Sequence, residues 1–110
     1  MSYVTDVILT YPLRWTDDDE EHLNRLNDYF RGTRGEYGLG LVNGHKVAGG
    51  TKALQVNIAV GAFNYLNLDS FVAYLRKFDW TDSGGADRLQ DVQLFVKEEH
   101  DDHFREVRLI

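Results

Sequence analysis

The run His100-Asp101-Asp102-His103 puts two imidazoles and two carboxylates side by side, with Glu98 and Glu99 just ahead of them. Imidazole and carboxylate are sound ligands for zinc and similar metals. They also act as general acids and bases where burial or a charged neighbour moves their pKa into range. A metal site, however, needs ligands that converge and partners that hold them. On a β-hairpin turn these side chains fan outward, which leaves His100 and His103 as weak metal candidates. A third ligand would have to come from His22 or His45 through the fold. The simpler reading is a hydrated turn, and no cofactor is expected.

Other constellations fall short. Gly44-His45-Lys46-Val47-Ala48-Gly49-Gly50-Thr51 nearly spells a phosphate-binding loop, but the Lys that should precede the final Thr is Gly50. Gly35, Gly38 and Gly40 do not have the spacing of a dinucleotide fingerprint. Ser2, Ser70 and Ser83 are the only serines, and none lies in a nucleophile elbow. There is no cysteine, so thiolate chemistry, disulfides and sulfur-ligated zinc are excluded together. Catalytic residues are therefore not assigned, and the balance leans away from an enzyme.

Charge narrows the partners. The chain has 110 residues and a formal net charge of -6. Nucleic-acid binders concentrate Lys and Arg against phosphates, so nucleic acid is not an expected partner. The negative charge gathers at two places, Asp17-Asp18-Asp19-Glu20-Glu21 and Glu98 to Asp102. The first also reads as compensation of a helix dipole. Either cluster could steer a basic protein partner.

The elements that must position these groups follow from periodicity. Tyr3 to Tyr11 alternates with apolar residues on both sides, which predicts an inner strand ended by Pro12. Thr16 is placed to cap a helix with Leu23, Leu26 and Phe30 as its stripe, stopped at Gly32. Tyr37 to Val42 predicts a weak edge strand. The alternation in Thr51 to Phe63 puts Leu54, Val56, Ile58 and Val60 on a greasy face, with Gln55, Asn57, Ala59 and Gly61 opposite. Asn67 or Asp69 starts a second helix to about Phe78, with Trp80 as an anchor behind it. Leu89 to Glu98 and Phe104 to Ile110 predict a closing hairpin around His100 to Asp102.

The order β-α-β-β-α-β-β implies a single α+β domain over 1–110. Its first six elements have ferredoxin-like order, an extra strand follows, and both helices lie on one face of an antiparallel sheet. The other face would then be open. Parity puts Phe95 and Phe104 there, and Phe63 shares the parity of Asn57. An open apolar face suits a protein partner or a homodimer. No basic start followed by a long apolar run is visible at Met1 to Pro12, and no apolar stretch is long enough for a membrane span. A cytoplasmic location is expected.

Gly49-Gly50-Thr51-Lys52, Val60-Gly61-Ala62-Phe63-Asn64-Tyr65-Leu66, Val92-Gln93-Leu94-Phe95 and His100-Asp101-Asp102-His103-Phe104 together resemble a group of small bacterial proteins with no assigned function. The likeness covers roughly the C-terminal two thirds and implies no activity, cofactor or site. The expectation that follows is a small acidic protein-interaction module: an inhibitor, immunity-type or antitoxin-like protein, bacterial or phage-borne. Its contact candidates are Asp17, Asp18, Asp19, Glu20, Glu21, Phe95, Glu98, Glu99, Asp101, Asp102 and Phe104. The alternatives are a small-ligand or metal-dependent enzyme using the sheet face and the His100/His103 turn, and a structural homodimer.

Overall fold

The computed structural model describes residues 3–12, 19–33, 40–43, 56–81 and 84–110. The expected cap at Thr16, the acidic residues Asp17 and Asp18, His45 and the glycine-rich run from Gly44 to Thr51 lie outside them. So do Tyr37 and the strand segment from Thr51 to Gln55.

The described fold is α+β, with two helices and one antiparallel sheet. In chain order the elements are β1 (Val4–Tyr11), α1 (Asp19–Thr33), β2 (Val42–Asn43), β3 (Asn57–Asn64), α2 (Leu68–Lys77), β4 (Gln93–Glu98) and β5 (Arg105–Val107). Five strands pair in the order β2-β3-β1-β4-β5, and each pairing is antiparallel. The strand read as internal from its two-sided apolar pattern, β1, is central and paired along both edges.

Local chemistry accounts for the boundaries. Asn67 caps α2, its Oδ1 accepting from the Ser70 N–H at 3.1 Å. Trp80 is buried behind the helix and its indole Nε1 donates to the Leu75 carbonyl at 2.8 Å. The predicted strand from Leu89 starts late, because Leu89–Asp91 forms one 3-10 turn before β4. The β4–β5 hairpin closes where the Asp101 N–H donates to the Glu98 carbonyl and the Glu98 N–H donates back to the Asp101 carboxylate.

One core lies on one side of the sheet. Thr5, Val7, Leu9 and Tyr11 of β1 are buried there with Leu94 and Val96 of β4. Leu26, Tyr29 and Phe30 of α1 and Phe71, Val72 and Leu75 of α2 join the same cluster. The Phe30 ring stacks on Phe63 at 4.4 Å between centroids and 13° between planes. It also meets Phe71, so the two helices close over the same strands.

Two expectations for β3 are corrected. The buried side of this strand carries Asn57, Ala59 and Phe63, not the greasy residues Ile58 and Val60, which are half-buried on the other side. Phe63, expected to share the open face, is only 3% exposed in the core. Size decides this. A Cβ at Gly61 would lie 2.7 Å from Phe63 Cζ and 3.3 Å from Leu41 Cδ2, so the small side is the one that admits Phe63 and the helix above it.

Next to this contact, Asn27 of α1 binds both backbone groups of Leu41. Its Oδ1 accepts from the Leu41 N–H at 2.8 Å and its Nδ2 donates to the Leu41 carbonyl at 2.9 Å. Gly40, at φ +73, brings the chain against this side chain, and a Cβ there would lie 2.6 Å from Asn27 Oδ1.

Gly61→Ala should therefore destabilise the fold, although alanine normally suits a strand better than glycine. Displacing the stacked Phe63 ring costs about 1–3 kcal/mol, read as a lower urea midpoint at unchanged m-value. A midpoint equal to or above wild type would contradict the packing described for Gly61.

Candidate functional site

Alternate residues of each strand point away from the helices, and strand register sets them in rows. Val42 pairs with Val60, Val60 with Ile8, Ile8 with Phe95, and Phe95 with Glu106. Directly opposite residues share a side of the sheet. One apolar row thus crosses β2, β3, β1 and β4 and ends on a carboxylate of β5. Ile58, opposite Thr10, extends it along β3. Val42 is 49% exposed, while Ile8, Ile58, Val60 and Phe95 are half-buried.

Asp6 and Lys97 face each other across β1 and β4 beside this row. Glu106 accepts from Gln93 Nε2 at 3.5 Å. Both described helices pack on the other side, so among the described residues this open side is an apolar strip with a few charges of both signs beside it.

The second concave feature is a cleft of about 760 Å³ between α2 and the β4–β5 hairpin, lined in part by Asp69, Val72, Arg76, Glu98 and Arg105. Its cations are engaged within the chain. Arg76 donates from Nε to the Leu109 carbonyl and from Nη2 to the Arg108 carbonyl, both at 3.1 Å. Arg105 lies 3.8 Å from both Glu98 Oε1 and Asp101 Oδ2. The cleft therefore reads as the seam that fixes the C-terminal residues to α2. Its exposed ion pairs add at most about 1 kcal/mol each.

The hairpin turn carries the residues that looked most like chemistry. His100 and His103 are both exposed, and Tyr3 meets the His100 ring edge-on at 5.8 Å. Among the described residues no three His, Asp or Glu side chains come together as a metal would need. Glu98 and Asp101 are half-buried and turned into the Tyr3 and Arg105 contacts, whereas Glu99 and Asp102 are exposed. Tyr3 donates its hydroxyl to Glu98 Oε2 at 3.2 Å. Partial shielding from water and the Glu98 carboxylate together hold its phenol above the ordinary tyrosine range.

The described part of the first acidic cluster, Asp19 to Glu21, is not brought together with Glu98 to Asp102. Thr5 pairs with Glu98, so the turn lies beyond that end of β1. Phe30, late in α1, covers Phe63, which also pairs with Thr5. The start of α1 with Asp19, Glu20 and the exposed Glu21 therefore lies toward the Tyr11 end. Of the two aromatic contact candidates, Phe95 sits within the row. Phe104 is 38% exposed but falls just ahead of β5, outside the paired strands.

Ile8, Ile58, Val60 and Val42 were not singled out from the sequence. A signal was present: Phe63 shares parity with Ala59 and Gly61, a large ring beside two small residues. That combination marks a side that accommodates a helix.

Among the described residues, no helix is long and apolar enough to cross a membrane. No family model matches the chain, and comparison with curated proteins and with solved structures gives no match.

Glu98→Gln should lower the Tyr3 pKa toward its ordinary value of 10.0, with shielding and the Asp101 and Glu99 charges still holding it somewhat above that value. The folded chain holds this proton more tightly than the unfolded chain. The contact thus stabilises the fold below about pH 10 and loses that effect as pH rises through the folded pKa. Ring-carbon NMR titration, assigned with Tyr3→Phe, reads the shift. An unmoved Tyr3 curve would remove Glu98 as a cause.

Proposed function

We propose that this chain is a small acidic protein-interaction module that meets its partner through the open side of its sheet. The observation that carries this reading is the unbroken apolar row Val42–Val60–Ile8–Phe95. Apolar patches of this kind on a sheet face favour contact with protein, because covering them releases ordered water. The acidic groups toward the two ends of β1 would steer a basic partner without forming the centre of the contact. An inhibitor, immunity-type or antitoxin-like protein, bacterial or phage-borne, fits this division: a greasy strip for affinity, charges at the ends for approach. Blocking another protein's surface asks for no catalytic group.

The finer fold reading belongs to the same proposal. The order β2-β3-β1-β4, taken with the β-α-β-β-α-β succession, supports a ferredoxin-like arrangement in which β5 extends the β4 edge. In that arrangement the helices share one side and leave the other for binding. No observation favours the metal-dependent enzyme over this reading.

The test compares baits. Wild-type chain, Phe95→Glu and Val60→Lys are immobilised, each shown to be folded by circular dichroism, and exposed to native lysate with readout by mass spectrometry. Placing a charge in the row should cost roughly 2 kcal/mol or more, about a thirtyfold loss of affinity. A partner held by wild type and lost from both variants is expected. The same proteins retained on all three baits would remove the open side as the contact surface.

A further inference from the structure

We infer that the occupant of the open side is a second copy of this chain, docked sheet against sheet about a two-fold axis. This rests on the reading of that side as the contact surface and adds the identity of what covers it.

Two copies each carrying -6 repel one another unless they meet where that charge is missing. Within the paired strands the described charged residues of the open side are Asp6, Lys97 and Glu106, and they nearly cancel. Glu106 stands at the β5 end of the row and is hydrogen-bonded by Gln93. Asp6 and Lys97 lie directly opposite one another, yet the described contacts include no ion pair between them. Both charges are thus available to a group arriving from above the sheet.

A two-fold interface has a stricter requirement than a foreign one. Each patch must contain its own complement, since residue i meets j and j meets i. Asp6 and Lys97 meet it. An axis passing between them sets Asp6 of one copy against Lys97 of the other, twice. The same rotation sets Ile8 of one copy against Phe95 of the other, twice. β-branched and aromatic side chains of two such sheets interleave at a sheet spacing of about 10 Å.

The outline of this contact bounds its strength. The three long strands, β1, β3 and β4, are eight, eight and six residues long. At about 3.3 Å per residue and 4.8 Å between strands, they outline an area of sheet roughly half of the 800 Å² per partner of a standard interface, so the contact is a weak one. A reversible, concentration-dependent dimer is therefore the expected form.

Sedimentation equilibrium over a dilution series from micromolar to submillimolar chain is the test. Wild type should rise from monomer toward twice that mass. Lys97→Glu should weaken self-association about tenfold, and Asp6→Lys combined with Lys97→Glu should recover most of the loss, because the swapped charges again face each other. Phe95→Glu should stay monomeric throughout, and Ala73→Glu, exposed on α2, should behave as wild type. Circular dichroism confirms that each variant is folded. Wild type at monomer mass across the whole series would overturn the second copy as occupant. So would a Phe95→Glu chain that dimerises like wild type. If the wild-type chain is monomeric while the Phe95→Glu bait loses a captured protein, only the second copy fails and the contact surface stands. If mass and capture both ignore Phe95→Glu, both readings fail.

Discussion

Phe30 stacks on Phe63 directly above a glycine, and this contact decides which side of the sheet becomes the interior. β3 could in principle turn either of its sides toward the helices. One carries Ile58 and Val60, the other Asn57, Ala59, Gly61 and Phe63. Only the second leaves depth for a ring from α1 to lie flat over a ring from the sheet. The choice then propagates through pairing. Phe63 stands opposite Thr5 and Ala59 opposite Leu9; Leu9 in turn stands opposite Leu94, so each neighbouring strand must follow. A slip of one residue in β3 would invert its sides against a β1 already bound on its other edge.

Much of the fold was legible because several local signals agreed. In β1, alternation, strand length and Pro12 all point to one element. In α2, the stripe Phe71, Val72 and Leu75 starts behind a residue whose side chain can cap it, and Asn67 does so. The hairpin was legible from a polar turn between two alternating runs, and the Asp101 carboxylate bonding back to Glu98 is what closes it. What was not legible was the parity of β3. Hydropathy ranks Ile58 and Val60 above Ala59 and Gly61, so a pattern rule turns the wrong side inward. Shape overrode transfer energy, and shape depends on Phe30, some thirty positions away in the chain. The 3-10 turn at Leu89 was hidden for a related reason: Leu89, Val92 and Leu94 fit a strand as readily as a turn leading into one.

The candidate site divides along the same line. Phe95 was found because its parity opposes that of Leu94 and Val96, which are unmistakably buried. Val60 was missed because its strand was assigned sides by hydrophobicity, and Ile8 because β1 is apolar on both sides. The acidic clusters were plain from composition, but the separation of Asp19 to Glu21 from Glu98 to Asp102, at opposite ends of β1, is a property of topology. The histidines illustrate the opposite case. Their residue types advertise chemistry, but the turn that carries them aims them at solvent.

The side chain of Asn27 has a further effect on how this sheet can be approached. Val42 and Asn43 pair with β3, and Leu41, just before them, has both its N–H and its carbonyl taken by one amide. A wandering extended peptide seeking to add itself along that border meets a rung whose donor and acceptor are already occupied. Growth of the sheet by accretion at that margin, the first step toward fibrous aggregates, is thereby discouraged by a single asparagine reaching across from α1.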